Sequence, residues 1–106
     1  MGRKSKRKGY RIEHEIEGIL RESGIVAKRI PLSGGSWIKG DIAMEFLGKG
    51  YIGEVKARKD GFKEIYKWIE DKDFLFLRAD RKDFLVVMDI KTFLEIVNGY
   101  KSKRDN

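Results

Sequence analysis

The chain contains no cysteine and only one histidine, His14. The absence of cysteine excludes disulfide bonds, thiolate metal sites, iron–sulfur clusters and cysteine nucleophiles, and it is typical of a reducing compartment. A single histidine cannot build a multi-histidine zinc site within one chain. Any bound metal must therefore be held mainly by oxygen atoms, which favours Mg²⁺, with Mn²⁺ as a substitute.

The sequence also lacks an apolar run close to the roughly 18 residues that a membrane span requires. The first residues are basic, but the apolar stretch of a signal peptide does not follow them. We therefore expect a cytoplasmic protein with no membrane partner.

Positive charge is concentrated at the two ends of the chain. The net charge is +7, and residues 1–11 contain six basic residues and no acidic one. Residues 98–106 add three basic residues and one acidic residue, so the middle 86 residues sum to −1. Basic ends on a near-neutral body favour a polyanion such as nucleic acid as the partner. The alternative is that the ends only keep the protein in solution.

The spacing of apolar residues predicts eight elements in the order α-β-β-β-α-β-β-α. The predicted helices cover 10–23, 62–71 and 90–97, with Gly24 ending the first and Asp89 as the N-cap of the last. The predicted strands cover 25–30, 40–47, 51–57, 74–78 and 84–88. This order predicts an α/β fold with a mixed central β-sheet flanked by helices. The length of 106 residues fits one domain. We place it at 10–98, after a flexible basic arm at 1–9 and before a basic tail at 99–106.

Candidate catalytic residues lie at Asp41 and at Glu54-Val55-Lys56. Residues two apart on a strand project to the same face, so Glu54 and Lys56 are expected side by side. Oxygen ligands from two carboxylates suit a hard divalent cation, and a lysine beside them can orient water or neutralise phosphate charge. The alternative is an exposed hairpin in which Glu54 and Lys56 form an ordinary ion pair.

The turn of the predicted hairpin decides whether Asp41 shares that face. A two-residue turn at Lys49-Gly50 would pair Gly48 with Tyr51, and glycine is favoured at the second turn position. In this register Asp41 lies opposite Arg58, on the same face as Lys56. A three-residue loop would send Asp41 to the other face unless a bulge intervened.

The segment Gly40-Asp41, followed by Glu54-Val55-Lys56, resembles the motif of the PD-(D/E)XK nucleases, with glycine in place of the motif's proline. The N-terminal segment 7–15 is similar to the opening of the archaeal-type Holliday junction resolvases, and the similarity runs through residue 60. Small phage and prophage members of that group are also similar, so the resemblance implies a phage or prophage origin, with the host cytoplasm as the location.

The resemblance implies a role for each matched residue. Asp41 and Glu54 would bind the metal directly, together with the backbone carbonyl of Val55, and Lys56 would be the catalytic lysine. Glu13 would complete the metal site through water. Independently, Glu13 lies on the apolar face of its helix, where a carboxylate is costly unless it is used. Ser33 would approach the strand to be cut.

The same comparison implies a surface for DNA. The loop before Asp41 is several residues longer than in the archaeal pattern, and His14 replaces the arginine common there. Trp37, in this loop, could stack on a base or pack against the protein. The expected DNA-binding residues are Arg7, Lys8, Arg11, His14, Arg29, Trp37, Lys39, Arg58 and Lys59.

The sequence therefore predicts a Mg²⁺-dependent endonuclease that resolves four-way DNA junctions by paired symmetric cuts as a homodimer. Because one domain offers one site, two opposed cuts require two copies related by two-fold symmetry. The alternatives are another nuclease of the same superfamily, such as a nicking or flap enzyme, and a non-catalytic DNA-binding protein on the same fold.

Overall fold

The computed structural model describes residues 2–31 and 39–105, with side chains from 9 to 31 and from 39 to 99. The predicted α/β class and the predicted order of elements are confirmed. The elements are α1 (Gly2–Glu22), β1 (Val26–Arg29), β2 (Ile42–Phe46), β3 (Lys49–Gly53), α2 (Lys63–Ile69), β4 (Leu75–Leu77), β5 (Leu85–Val87) and α3 (Ile90–Asp105).

The described strands form two antiparallel sheets, one of three strands in the order β1-β2-β3 and one of two strands, β4-β5. The chain divides into two compact units, residues 1–57 and 58–106. The three-stranded sheet and α1 belong to the first unit, and the remaining elements belong to the second. The three-residue strands β4 and β5 pair with each other, as strands close in sequence commonly do.

The first unit is built by α1 packing against β1. Among the described residues of this unit, the buried side chains are apolar apart from Glu17, and they come from the end of α1, from β1 and the residues on either side of it, and from β2. Gly24 ends the helix at a φ of 89°, which glycine adopts without strain. The Ile25 N–H donates to the Leu20 carbonyl and the Gly24 N–H to the Arg21 carbonyl, which is the Schellman arrangement. The predicted end of the helix at Gly24 is thus confirmed.

The start of α1 differs from the prediction, because the helix begins at Gly2 and not at Tyr10. Apolar spacing could not detect this start, since no periodic apolar residue precedes Tyr10. Lysine and arginine are good helix formers, and the segment contains no proline. A helical backbone here places positions 3, 7 and 11 in one row and positions 4 and 8 beside it.

The predicted turn between β2 and β3 is wrong by two residues. Phe46 pairs with Lys49, so the turn residues are Leu47 and Gly48, with φ values of 52° and 76°. Two positive φ values are typical of a type I′ turn. In the predicted register Glu45 would lie opposite Glu54. In the observed register Glu45 faces Gly50.

The observed turn predicts that alanine substitution at two glycines of this hairpin has different effects on the free energy of unfolding. A Cβ on Gly48 would meet no heavy atom within 4 Å, and a Cβ on Gly50 would come no closer than 3.9 Å to the Met44 carbonyl oxygen. Of these two glycines, only Gly48 has a positive φ. Gly48→Ala should therefore lower the free energy of unfolding by about 1 kcal/mol. Gly50→Ala should leave it unchanged or raise it by about 0.5 kcal/mol.

Urea unfolding of both variants beside the wild-type chain measures this difference. Equal destabilisation by the two alanines would contradict the turn at Leu47-Gly48, and a larger loss at Gly50 would restore the turn that the sequence predicted.

In the second unit, α3 begins after Asp89, the residue predicted as its N-cap. Asp89 Oδ1 accepts a 2.8 Å hydrogen bond from the Thr92 N–H, and the Asp89 carbonyl accepts one from the Phe93 N–H. The bond from Thr92 lowers the pKa of Asp89. The prediction of this N-cap is confirmed, and it fixes where the last helix begins.

Candidate active site

Asp41 lies directly before β2 and is held by the backbone on both sides of Glu54. Its N–H donates to the Gly53 carbonyl at 2.9 Å, and its Oδ2 accepts from the Val55 N–H at 2.6 Å. Its carbonyl accepts from the Ile30 N–H of the neighbouring chain segment at 2.9 Å. Asp41 is therefore fixed beside Glu54, and the predicted position opposite Arg58 is wrong.

The shifted turn nevertheless preserves the predicted parity of the hairpin. Observed partners sum to 95, as in Ile42 with Gly53, and the predicted partners summed to 99. Both sums are odd, so the shift by two residues keeps positions 41, 54 and 56 at the same parity, although position 41 now lies opposite 54 and not opposite 58. A loop longer or shorter by one residue would have made the sum even and sent Asp41 to the other face.

Glu54 and Lys56 follow β3, which ends at Gly53 and does not extend to Ala57 as predicted. Their side chains still lie together, because Lys56 Nζ is 3.3 Å from Glu54 Oε2. Both side chains are more than half exposed, at 59% and 56%. An ion pair this exposed contributes little to the stability of the fold. Because both side chains are exposed, both charged groups are accessible to a ligand.

Glu13 lies in a second group of residues, between α1 and β1. Its Oε1 is 3.7 Å from Arg29 Nε, and only 15% of the Glu13 side chain is exposed. The Arg29 guanidinium carbon lies 4.1 Å from the centre of the Tyr10 ring, in a cation–π contact. Glu13 is thus held by Arg29, one of the residues predicted to bind DNA.

Glu17 is a buried acidic residue that was not among the predicted site residues. It is 9% exposed, and its Oε2 accepts a 2.7 Å hydrogen bond from the Arg29 N–H. His14 Nδ1 and the Arg21 guanidinium lie 3.6 Å and 3.7 Å from its carboxylate. The hydrogen bond from Arg29 lowers the pKa of Glu17, burial opposes that shift, and the nearby basic groups add to it. The four-residue spacing from Glu13, on the same helix face, was the available signal.

The lowered pKa of Glu17 predicts a loss of stability in acid. Ionised Glu17 stabilises the folded chain, and this contribution is complete above the ordinary pKa near 4.5. It is lost as the pH falls through the lower pKa of the folded state. Thermal unfolding between about pH 6 and pH 3 should therefore show a weaker acid dependence for Glu17→Gln than for the wild-type chain. The exposed residue Glu15 gives the control, since Glu15→Gln should keep the wild-type dependence.

The donor atoms of the hairpin group fit a hard cation. Asp41 and Glu54 offer carboxylate oxygens, and Val55 offers a backbone carbonyl. Mg²⁺ commonly takes one or two protein carboxylates and fills its other positions with water and phosphate oxygens. In the described ranges, no three acidic or histidine side chains are grouped closely enough to hold a metal ion. Glu13 therefore does not form a three-carboxylate cluster with Asp41 and Glu54.

The other predicted site residues occupy several parts of the chain. Arg11, His14, Lys39, Arg58 and Lys59 are exposed, and Arg29 is partly buried. Arg7 and Lys8 are residues of α1. Ser33 and Trp37 lie outside the described residues, so their predicted roles stay predictions.

Fold and site together define a basic α/β protein whose hairpin carries two carboxylates and a lysine. Its family follows from comparison with known families, because the model of the archaeal Holliday junction resolvases (hjc) matches residues 4–72. This match covers well over half of the chain and includes Glu13, Asp41, Glu54 and Lys56. The chain belongs to the archaeal Holliday junction resolvase family.

Comparison with curated proteins and with solved structures gives no significant match. Across the described part of the chain, the helices are too short or too polar to span a bilayer.

Proposed function

We propose that this protein is a metal-dependent endonuclease that resolves four-way DNA junctions by paired symmetric cuts. Family membership supports the junction as substrate. The observation that carries the chemistry is the position of Asp41, bonded to backbone groups on both sides of Glu54, beside the ion pair of Glu54 with Lys56. This arrangement places two carboxylates and an ammonium group within one short hairpin segment.

Asp41, Glu54 and the Val55 carbonyl would hold Mg²⁺, for which Mn²⁺ can substitute. Because Asp41 engages the Val55 N–H through Oδ2, its Oδ1 remains as a ligand atom. The cation would polarise a phosphoryl oxygen and lower the pKa of a bound water. Glu13 would act through a water molecule, since its carboxylate lies beside Arg29.

Lys56 would act on the scissile phosphate directly. Its ammonium group has three donors, of which Glu54 engages one. The others can donate to a phosphate oxygen and offset the charge that develops there as the phosphodiester is cleaved. The exposed position of Lys56 allows this contact, and Ser33 would approach the same strand.

Binding would depend on phosphates and on DNA shape. Four of the proposed residues belong to α1, namely Arg7, Lys8, Arg11 and His14, and Arg29 is the last residue of β1. Contacts from such residues to DNA phosphates position the protein on the DNA backbone but do not distinguish one base sequence from another. The remaining proposed DNA contacts are Trp37, Lys39, Arg58 and Lys59.

The active form would be a homodimer. Each chain carries one hairpin site, whereas resolution of a junction requires two cuts on opposed strands. A two-fold axis relating two copies would place two identical sites on the two-fold symmetric junction.

Cleavage of matched DNA substrates tests this function. A four-way junction, a flap and a plain duplex of equal length are incubated with the protein in Mg²⁺ and in EDTA. We expect cleavage of the junction in Mg²⁺, little cleavage of the other two substrates and none in EDTA. Preferred cutting of the flap or the duplex would support the alternative that the protein is a different kind of nuclease, such as a nicking or flap enzyme. Binding without cutting in Mg²⁺ or Mn²⁺ would support the non-catalytic DNA-binding protein.

A further inference from the structure

Two side chains of α1 hold the outer edge of β1. Glu17 Oε2 accepts from the Arg29 N–H at 2.7 Å, and Arg21 Nε donates to the Ala27 carbonyl at 2.7 Å. Glu17 and Arg21 are four residues apart on the helix and lie 3.7 Å from one another. An i, i+4 pair on the helix therefore bonds to alternate residues of the strand.

The topology explains why these backbone groups need partners. β1 is an edge strand of its sheet, with β2 on one side. The Ile30 N–H donates to Asp41 on the β2 side, so the N–H of the preceding residue, Arg29, points away from the sheet. Side chains of α1 therefore bond to the backbone groups of β1 that a further strand on its outer side would otherwise pair with.

The position of the Arg29 side chain depends on this anchoring. Its guanidinium group lies over the Tyr10 ring at 4.1 Å and beside Glu13 at 3.7 Å. Its Nε is buried without a hydrogen-bond partner in the described part of the chain. Neither the Tyr10 ring nor the Glu13 carboxylate accepts a hydrogen bond from Arg29 Nε, so the backbone at Arg29 sets the position from which the guanidinium extends.

We propose that Glu17 is a positioning residue for Arg29. By accepting the Arg29 N–H, Glu17 fixes the end of β1 at the point from which the guanidinium reaches Tyr10 and Glu13. Arg21 fixes the same edge two residues earlier, at Ala27. The inference rests on the proposed function for its consequence, which is that Arg29 is presented to a DNA phosphate in a set orientation.

The proposal predicts a change in DNA affinity opposite to the one expected from net charge alone. Removing an acidic side chain from a basic protein should strengthen its binding to DNA, because the net charge becomes more positive. Glu15→Ala, at an exposed position of the same helix, should follow this rule. Glu17→Ala makes the same change in charge but releases Arg29, and we expect it to weaken junction binding about tenfold.

The first measurement uses the free protein and needs no DNA. The ¹⁵N–¹H signal of Arg29 Nε should be sharp and slow to exchange in the wild-type chain and in Glu15→Ala. It should broaden in Glu17→Ala. Glu17→Gln retains an oxygen acceptor and should restore the sharp signal. An Arg29 signal unchanged in Glu17→Ala would overturn the proposal.

The second measurement is a double-mutant cycle on junction affinity, with the folded fraction of each variant determined by circular dichroism. Glu17→Ala should reduce affinity about tenfold when Arg29 is present, and in an Arg29→Ala background it should show only the small gain in affinity expected of Glu15→Ala. An equal loss in both backgrounds would show a merely structural role and would overturn the proposal. A wild-type chain that does not bind the junction contradicts the proposed function, whereas the Arg29 signal still decides whether Glu17 positions Arg29.

Discussion

Asp41→Asn and Glu54→Gln are each expected to abolish junction cleavage while junction binding survives. Loss of a carboxylate ligand removes several kcal/mol of charge stabilisation in the transition state, which corresponds to a rate loss of about a thousandfold or more. Asparagine retains an oxygen that can accept the Val55 N–H, so the hairpin should keep its geometry. The measurement is the single-turnover cleavage rate of each variant, with affinity determined by gel shift.

Glu45→Gln is the matched control for these variants. Glu45 is an exposed residue of the same hairpin, opposite Gly50, and its replacement makes the same change in charge. It should cleave at the wild-type rate. Wild-type cleavage by Asp41→Asn or Glu54→Gln would contradict the metal site, and equal losses of binding and cleavage would assign those residues to DNA contact.

Replacing the five basic residues of segment 3–8 by glutamine is expected to weaken binding to every DNA shape. For each phosphate that the variant no longer neutralises, the slope of log affinity against log salt should become shallower by about 0.9. Affinity at low salt should fall at least about a hundredfold, and the preference for the junction over a duplex should change little. Glutamine keeps a good helix propensity, so α1 should remain helical from its start.

Two exposed lysines of α2 provide the comparison for this change. Lys63→Gln and Lys67→Gln also reduce the positive charge, but neither residue is assigned to the DNA surface. For these two variants the slope of log affinity against log salt should stay close to that of the wild-type chain. If the glutamine variant of segment 3–8 showed an unchanged slope as well, the basic residues would serve only to keep the protein in solution.

Periodicity predicted which elements form, but it placed the hairpin turn incorrectly. Both Lys49-Gly50 and Leu47-Gly48 end in glycine, so turn chemistry alone did not distinguish them. Cross-strand contacts accompany the observed register, in which Glu45 faces Gly50 and the Phe46 and Tyr51 rings stack with centroids 4.5 Å apart. Such contacts depend on two strands at once and are not visible in either strand by itself.

The candidate site was predictable where it depended on parity and local spacing. Glu54 and Lys56 form an ion pair although they follow β3 and do not lie within it, and Asp41 bonds to backbone groups on both sides of Glu54. The role of Glu17 was not predictable from the apolar pattern of α1. Its partner, the Arg29 N–H, is exposed to the helix only because β1 is an edge strand, and that is a property of the sheet.

A supercoiled plasmid with an extruded cruciform tests whether the protein makes two coordinated cuts in one junction. Two opposed cuts within one binding event convert the plasmid to linear DNA, whereas one cut releases the supercoils and gives a nicked circle. In Mg²⁺ we expect linear product from the first time points, and no product with Asp41→Asn. A nicked circle as the lasting product, or cutting by Asp41→Asn, would contradict the account.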